Sequence, residues 1–135
     1  EINRILCPGG VFTALWNPRL IENNQILLEI ENYVNVLMPN IKRVSSGRSG
    51  ITKNLTQNFE KSKYFEDIIY IEGKHKIEMT HERYLGIWDS VNDLKFQLGQ
   101  EKFEKFLSFV KSKISKIKII EAEYLTRSWT VRSKV

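Results

Sequence analysis

Two groups of side chains in this sequence have the chemistry to bind a small molecule. The first is Trp16, Asn17 and Arg19, which come directly after an apolar run that starts at Val11. An indole can wall a pocket, an amide can donate and accept hydrogen bonds, and a guanidinium can clamp an anion with paired hydrogen bonds. The alternative is structural, because Trp16 can belong to the core and Asn17 can cap a following helix. Position alone leaves both interpretations open.

The second group is Tyr84 and Trp88, with Ser90 shortly after them. Tyr84 and Trp88 are four residues apart, so they share one face of a helix. Aromatic residues at this spacing are more typical of a hydrophobic core, but the same face can also line a pocket. Here too both interpretations stay open.

Several catalytic and cofactor-binding motifs are absent from the sequence. Neither a Gly-x-x-x-x-Gly-Lys-Ser/Thr loop nor a Gly-x-Gly-x-x-Gly fingerprint is present. His75 and His81 have no Cys or carboxylate at ligand spacing, so we predict no metal site. The single cysteine, Cys7, cannot form an internal disulfide, and no nearby His would activate it as a nucleophile. No residue is therefore assigned a catalytic role.

The composition is that of one globular domain. The 135 residues are 41% hydrophobic and 27% charged, and no apolar run is long enough to span a bilayer. The net charge of +5 comes mostly from lysines that we expect on solvated helix faces. We therefore expect a single cytoplasmic domain over residues 1–135, with no membrane contact and with nucleic-acid binding only as an alternative function.

The pattern of apolar residues predicts strands and helices in alternation. A turn at Cys7-Pro8-Gly9-Gly10 leads into a first strand, Val11–Trp16, which reads as buried. The further predicted elements are a helix over Arg19–Leu37, a short helix over Thr56–Ser62, a strand over Phe65–Met79 bent or bulged at Gly73, a helix capped by Thr80, a short helical turn that stops at Gly99, a helix from Phe103 to Ile117, and a strand over Ile119–Arg132. A buried strand so near the first residue needs neighbours, so we expect the chain to be the second half of a domain.

The first turn and the order of the later segments resemble one enzyme family. Leu6-Cys7-Pro8-Gly9-Gly10-Val11 resembles the turn that precedes the fifth strand of class I S-adenosylmethionine-dependent methyltransferases. The matching segments that follow in the same order are Trp16-Asn17-x-Arg19, the Phe65 strand, the Thr80 helix leading to Ser90, and the closing run from Glu121 to Trp129. The whole course is similar to the small-molecule methyltransferases of the broad group that includes trans-aconitate methyltransferase.

The resemblance implies an α/β fold, namely the C-terminal part of a Rossmann-like methyltransferase. It implies a three-stranded mixed sheet with flanking helices, in which the family's strands stand in the order five, seven, six and the seventh runs in reverse. The corresponding segments here are Val11–Trp16, Ile120–Val131 and Ile68–Met79. It also implies that S-adenosylmethionine binds to an acidic-Gly-x-Gly loop, which this sequence lacks. We therefore assign no cofactor-binding residue to this chain.

The resemblance further implies that the chain covers a small-molecule acceptor and is inactive alone. The substrate-binding residues implied in this way are Trp16, Asn17, Arg19, Tyr84 and Trp88. One alternative is a nucleic-acid or anionic-surface binder that uses the basic residues Lys42, Arg43, Arg48, Lys53, Lys61 and Lys63. Another is a dimerisation module. With the family's fourth strand absent, we also expect the outer edge of Val11–Trp16 to pair with a second copy or to be covered by the chain's own segments.

Overall fold

The computed structural model describes residues 1–43, 50 and 52–134 of the chain. It has helices and strands in an alternating order, as the sequence predicts. The elements are α1 (Ile2–Ile5), β1 (Val11–Trp16), α2 (Gln25–Leu37), α3 (Leu55–Glu60), β2 (Phe65–Met79), α4 (His81–Asp89), α5 (Asn92–Ile114) and β3 (Ile120–Ser133).

The chain forms two compact units. Unit 1 contains Glu1–Pro18, Gly47–His75 and Tyr124–Val135, and unit 2 contains Arg19–Ser46 and Lys76–Glu123. Strands β2 and β3 each contribute residues to both units. A single domain over residues 1–135 stays a prediction.

The three strands form one open sheet in the order β1-β3-β2. Strand β1 pairs antiparallel with β3, in a register that runs from Val11 opposite Arg132 to Trp16 opposite Arg127. The β2–β3 pair is antiparallel as well. The predicted place of the last strand between the other two is therefore confirmed. The description of the sheet as mixed is wrong, because a reversed central strand makes both neighbouring pairs antiparallel.

The sheet by itself does not establish a Rossmann-like fold. A complete Rossmann-like sheet is open, mostly parallel and larger, with helices on both faces. The sheet here has three antiparallel strands, and its order differs from the typical one. The fold class that stands is a mixed α/β fold with flanking helices.

The core of unit 1 lies on one face of the sheet, beneath α3. Its buried members are Ala14, Phe59, Trp129 and Val131, against which Phe12, Trp16, Leu55, Phe65 and Ile68 pack. The prediction that β1 is buried is wrong for one of its faces, because its residues alternate between this core face and solvent. In β2 we expected Ile69 and Ile71 to be the less exposed residues. Both are more than half exposed, and Ile68 contacts the core instead.

Unit 2 is built from helices α2, α4 and α5, which pack through apolar residues at helical spacing. Its α5 is interrupted at Gly99, where φ is 71° and ψ is 167°, so the predicted stop at this glycine is confirmed. Helix α2 begins at Gln25, not at Arg19, because the Asn24 side chain accepts a 3.1 Å hydrogen bond from the Leu27 amide and caps the helix there. Arg19 therefore lies in extended chain before the helix.

Candidate functional site

Arg19 is placed by the segment that follows β1. The amide of the next residue, Leu20, donates a 2.8 Å hydrogen bond to the Glu123 carbonyl of β3 and fixes the backbone there. The Arg19 guanidinium lies over the indole of Trp88, with its Cζ atom 4.6 Å from the ring centroid. This separation is within the range in which a cation is attracted to the face of an aromatic ring. Two residues implied as substrate-binding are thus in contact within unit 2.

Tyr84 and Trp88 lie on the buried face of α4. The helix begins as predicted, since Thr80 Oγ1 accepts a hydrogen bond from the Arg83 amide at 3.3 Å. Each of the two aromatic side chains is only 1% exposed. The Trp88 ring packs edge-on against Phe106, with ring centroids 4.9 Å apart. Both residues are therefore part of the core of unit 2, and Trp88 in addition supports Arg19.

Trp16 and Asn17 belong to unit 1. Trp16 is half-buried and meets Trp129 edge to face, with ring centroids 5.8 Å apart. Asn17 is exposed, and its Oδ1 accepts a 2.9 Å hydrogen bond from the Thr126 hydroxyl. Asn17 therefore does not cap a helix, and Trp16 packs against the core as the structural interpretation expected. Of the five implied substrate residues, the contact that the structure provides is the one between Arg19 and Trp88.

Arg43 is a neighbour of Trp88 that the sequence did not single out for this site. Its Cζ atom lies 5.8 Å from the Trp88 ring centroid, and its Nη1 donates to Glu31 Oε1 over 2.5 Å. The two charged side chains are 15% and 11% exposed. No local signal joins Arg43 to Glu31 of α2, because the partners lie on opposite sides of the Pro39-Asn40 break. The contact exists only in the folded unit.

The burial of Arg43 also bears on the alternative of a basic binding surface. A phosphate backbone is bound by solvent-exposed cations, whereas Arg43 is committed to Glu31 and Trp88. Lys63 is exposed and lies over the Tyr64 ring. Arg48 lies outside the described residues.

The Pro-Gly-Gly turn does not offer a cradle for S-adenosylmethionine. Gly9 has a φ of +75°, and its amide donates to the Ser133 carbonyl at 3.0 Å. The Gly10 amide closes the turn by donating to the Cys7 carbonyl, and a Cβ at Gly10 would lie 2.8 Å from that oxygen. The amides of the turn are thus used by the backbone itself.

The described part of the chain contains neither a metal-binding cluster nor a membrane-spanning helix. No group of three or more His, Cys, Asp or Glu side chains in residues 1–43, 50 and 52–134 is arranged to hold a metal ion. Within the same residues, no helix is both long and apolar enough to cross a bilayer. Compared with known proteins, the sequence matches no family model and no curated protein.

Proposed function

We propose that this chain is the C-terminal, substrate-side half of a class I methyltransferase domain whose parent protein methylates a small-molecule acceptor. The observation that carries the proposal is the position of β3 in the sheet. It stands between β1 and β2 and runs antiparallel to β1, which is the arrangement implied for the seventh, fifth and sixth strands of the family.

The geometry after β1 supports the same assignment. In open α/β sheets, ligands bind beyond the carboxyl ends of strands, and Arg19 comes three residues after the end of β1. Its guanidinium is held over Trp88 and has no ion-pair partner among the described residues. Such a cation can orient an anionic acceptor through two parallel hydrogen bonds. The chain's part in catalysis is then to hold and orient the acceptor and to exclude water.

S-adenosylmethionine supplies the methyl group in this family, and we assign its binding to the remainder of the parent protein. The test is a calorimetric titration with S-adenosylhomocysteine of this chain and of the parent protein. We expect heat of binding from the parent and none from the 135 residues alone. Tight binding by the 135 residues would contradict the placement of this chain in the fold. Absence of binding by the parent would contradict the methyltransferase proposal itself.

The role of Arg19 is tested in the parent protein. Once an acceptor is known, replacing Arg19 with Ala removes the guanidinium and leaves the Trp88 ring in place. A charge-assisted hydrogen bond is worth about 1.5–3 kcal/mol, so kcat/KM should fall at least about tenfold. Unchanged turnover by Arg19→Ala would remove Arg19 from the acceptor site. Exposed Arg83 on α4 gives the control, because Arg83→Ala should leave kcat/KM unaltered.

A further inference from the structure

We propose that Arg19, Arg43 and Trp88 of unit 2 form a binding site for one oxyanion, the carboxylate or phosphate group of a small ligand. The first observation is the state of the Trp88 indole. Its side chain is 1% exposed, yet its Nε1–H has no hydrogen-bond partner among the described residues. Buried donors in native proteins are nearly always satisfied, and leaving one unpaired costs about 1–3 kcal/mol. An acceptor from outside the chain would remove that cost.

The second observation is that two guanidinium groups converge on the same indole. The Cζ atoms of Arg19 and Arg43 lie 4.6 Å and 5.8 Å from the Trp88 ring centroid. The two guanidinium groups repel each other although each is attracted to the ring, and a nearby anion reduces that repulsion. Trp88 therefore sits at a place where the fold has concentrated positive charge.

The carboxylates of the described residues do not pair with all of the positive charge around Trp88. An N–H donor of the arginine side chains also lacks an acceptor among those residues. Arg43 donates through Nη1 to Glu31, but its buried Nε–H has no acceptor in the described part of the chain. Arg19 forms no ion pair with any described residue. Among the described ion pairs, Glu31 is the carboxylate that pairs with one of these guanidinium groups, whereas Arg19 has no described ion pair and the N–H donors Arg43 Nε and Trp88 Nε1 have no described acceptor. Negative charge and several acceptor lone pairs are what an oxyanion provides.

The donors are held in place before a ligand arrives. The backbone of Lys42, next to Arg43, is clamped by Gln97, whose side chain accepts from the Lys42 amide at 3.0 Å and donates to its carbonyl at 2.8 Å. The Arg19 segment is tied to β3 through the Leu20 amide. Donors fixed in this way lose little conformational entropy on binding. A guanidinium fork fits a planar carboxylate or a phosphate face better than it fits a spherical chloride.

The make-up of the site favours a small ligand. Two guanidinium groups flank one buried indole, whereas nucleic-acid binding would need a series of exposed cations. That this anion is the acid group of the methyl acceptor rests on the proposed function, whereas binding of the anion does not require methyl transfer. The two proposals can therefore fail separately.

The experiment is an NMR titration of the full 135-residue chain, observed at the three indole N–H resonances of Trp16, Trp88 and Trp129. Inorganic phosphate and succinate are added separately, with sodium chloride at matched ionic strength as the control. We expect saturable displacement of the Trp88 signal by phosphate, by succinate or by both, and the responding anion identifies the class of ligand. Displacement by neither anion, or an equal effect of chloride, would overturn the proposal.

Variants then assign the donors. Arg43→Gln and Arg19→Gln should each weaken the anion affinity at least about tenfold, the loss expected for a charge-assisted hydrogen bond. Arg19→Gln is the decisive variant, because it breaks no ion pair and should keep the fold. The control Lys111→Gln, at an exposed position of α5, should leave the affinity unchanged, since the cations placed over Trp88 are Arg19 and Arg43. Equal affinity of Arg19→Gln and the unmodified chain would show that the anion binds elsewhere.

Discussion

Glu31 and Arg43 form an ion pair in which both side chains are almost fully buried, with 2.5 Å between Oε1 and Nη1. The pair connects α2 to the segment after Pro39-Asn40, and it holds Arg43 beside Trp88. A pair of this kind is weak evidence for stability by itself, but removing one partner leaves the other charge buried and unpaired.

We therefore expect Glu31→Gln to destabilise the chain by about 1–3 kcal/mol, less than for a fully buried pair because both groups keep some solvent contact. Urea unfolding followed by circular dichroism measures the change. The matched control is Glu101→Gln, since the Glu101–Lys105 pair is exposed and an exposed pair contributes little to stability. Equal stability of the two variants would mean that the Glu31–Arg43 contact contributes no more than a surface pair.

The indole of Trp129 gives a prediction for unit 1. Its ring is buried in the sheet core, and its Nε1–H donates a 2.8 Å hydrogen bond to the Thr56 hydroxyl of α3. Thr56→Val keeps the shape of the side chain but leaves the buried N–H unpaired, so we expect a loss of about 1–3 kcal/mol in the free energy of unfolding. Thr56→Ser retains the hydroxyl and should recover most of the loss.

The control for this prediction is Thr13→Val on β1. Thr13 is exposed, and its hydroxyl lies 3.0 Å from that of Thr130 across the strand pair. Water replaces that hydrogen bond when either hydroxyl is removed, and Val is a good strand residue, so the change should stay within about 0.5 kcal/mol. A Thr56→Val effect no larger than this would show that the hydrogen bond to Trp129 contributes little.

The sequence was sufficient for features that depend on local patterns. The Thr80 cap, the stop at Gly99 and the span of Phe65–Met79 were all predicted, because capping, positive φ and strand alternation are set by neighbouring residues. The face of β2 was not predictable. Most of its residues are exposed on both faces, so alternation did not reveal whether Ile68 or Ile69 meets the core.

The candidate site was likewise predictable from the sequence only in part. The residue types at Arg19 and Trp88 suggested a site, but their contact joins segments far apart in the sequence. The start of α2 was misplaced because the apolar spacing from Leu20 onward is helical, while the Asn24 side chain ends the extended segment. Arg43 was missed, since a basic residue in a loop is usually solvated and its partner Glu31 lies in the preceding helix. Contacts of this kind are decided by tertiary packing.

The carboxylate of Glu72 gives a prediction about pH. Its Oε2 accepts hydrogen bonds from Tyr70 Oη at 2.5 Å and from Arg127 Nε at 3.0 Å. The Tyr70 hydrogen bond, and after it the one from Arg127, lower the pKa of Glu72 below its ordinary value of 4.5. Because the folded-state pKa is the lower one, the ionised carboxylate stabilises the fold above the unfolded-state pKa. That contribution disappears as the pH falls through the folded-state pKa.

We therefore expect Glu72→Gln to be less stable than the unmodified chain at neutral pH, with a difference that shrinks to nothing as the pH falls below 4.5. Thermal unfolding across this pH range measures the difference. Glu78→Gln on the same strand is the control, because its exposed carboxylate has no hydrogen-bond partner among the described residues. A Glu72→Gln difference that stays constant over the whole range would contradict the assignment to the ionised carboxylate.

Replacing glycine with alanine should change the stability of the chain in opposite directions at Gly99 and at Gly86. Gly99 has a φ of 71° and a ψ of 167°, a region that residues with a Cβ rarely enter, so Gly99→Ala should cost about 1–3 kcal/mol. Gly86 lies in the middle of α4, and a Cβ there would meet nothing within 4 Å. Gly86→Ala should stabilise the chain by about 0.5–1 kcal/mol. Chemical denaturation of both variants decides the matter, and effects of the same sign would contradict the backbone argument.

The outer edge of β1 gives a prediction about self-association. Strand β1 has β3 as its neighbour on one side and stands at the edge of the sheet on the other. It carries no charged residue, and its Val11 and Leu15 side chains are 59% and 66% exposed. Charged residues are the usual protection of an edge strand, and β2 at the opposite edge has many of them. We expect β1 to pair with its own copy in a second chain.

Sedimentation velocity over a range of concentrations tests this pairing. The unmodified chain should move from monomer to dimer as its concentration rises, and Leu15→Lys should hold it as a monomer, because a charged side chain on an edge strand opposes pairing with another chain. Ile71→Lys is the matched control, since Ile71 is equally exposed at 64% but lies on β2. This control should still dimerise. If both lysine variants abolish the dimer, the association uses the exposed apolar side chains of the sheet face and not the β1 edge. If the unmodified chain stays monomeric at every concentration, the β1 edge is hydrated and the prediction of pairing is wrong.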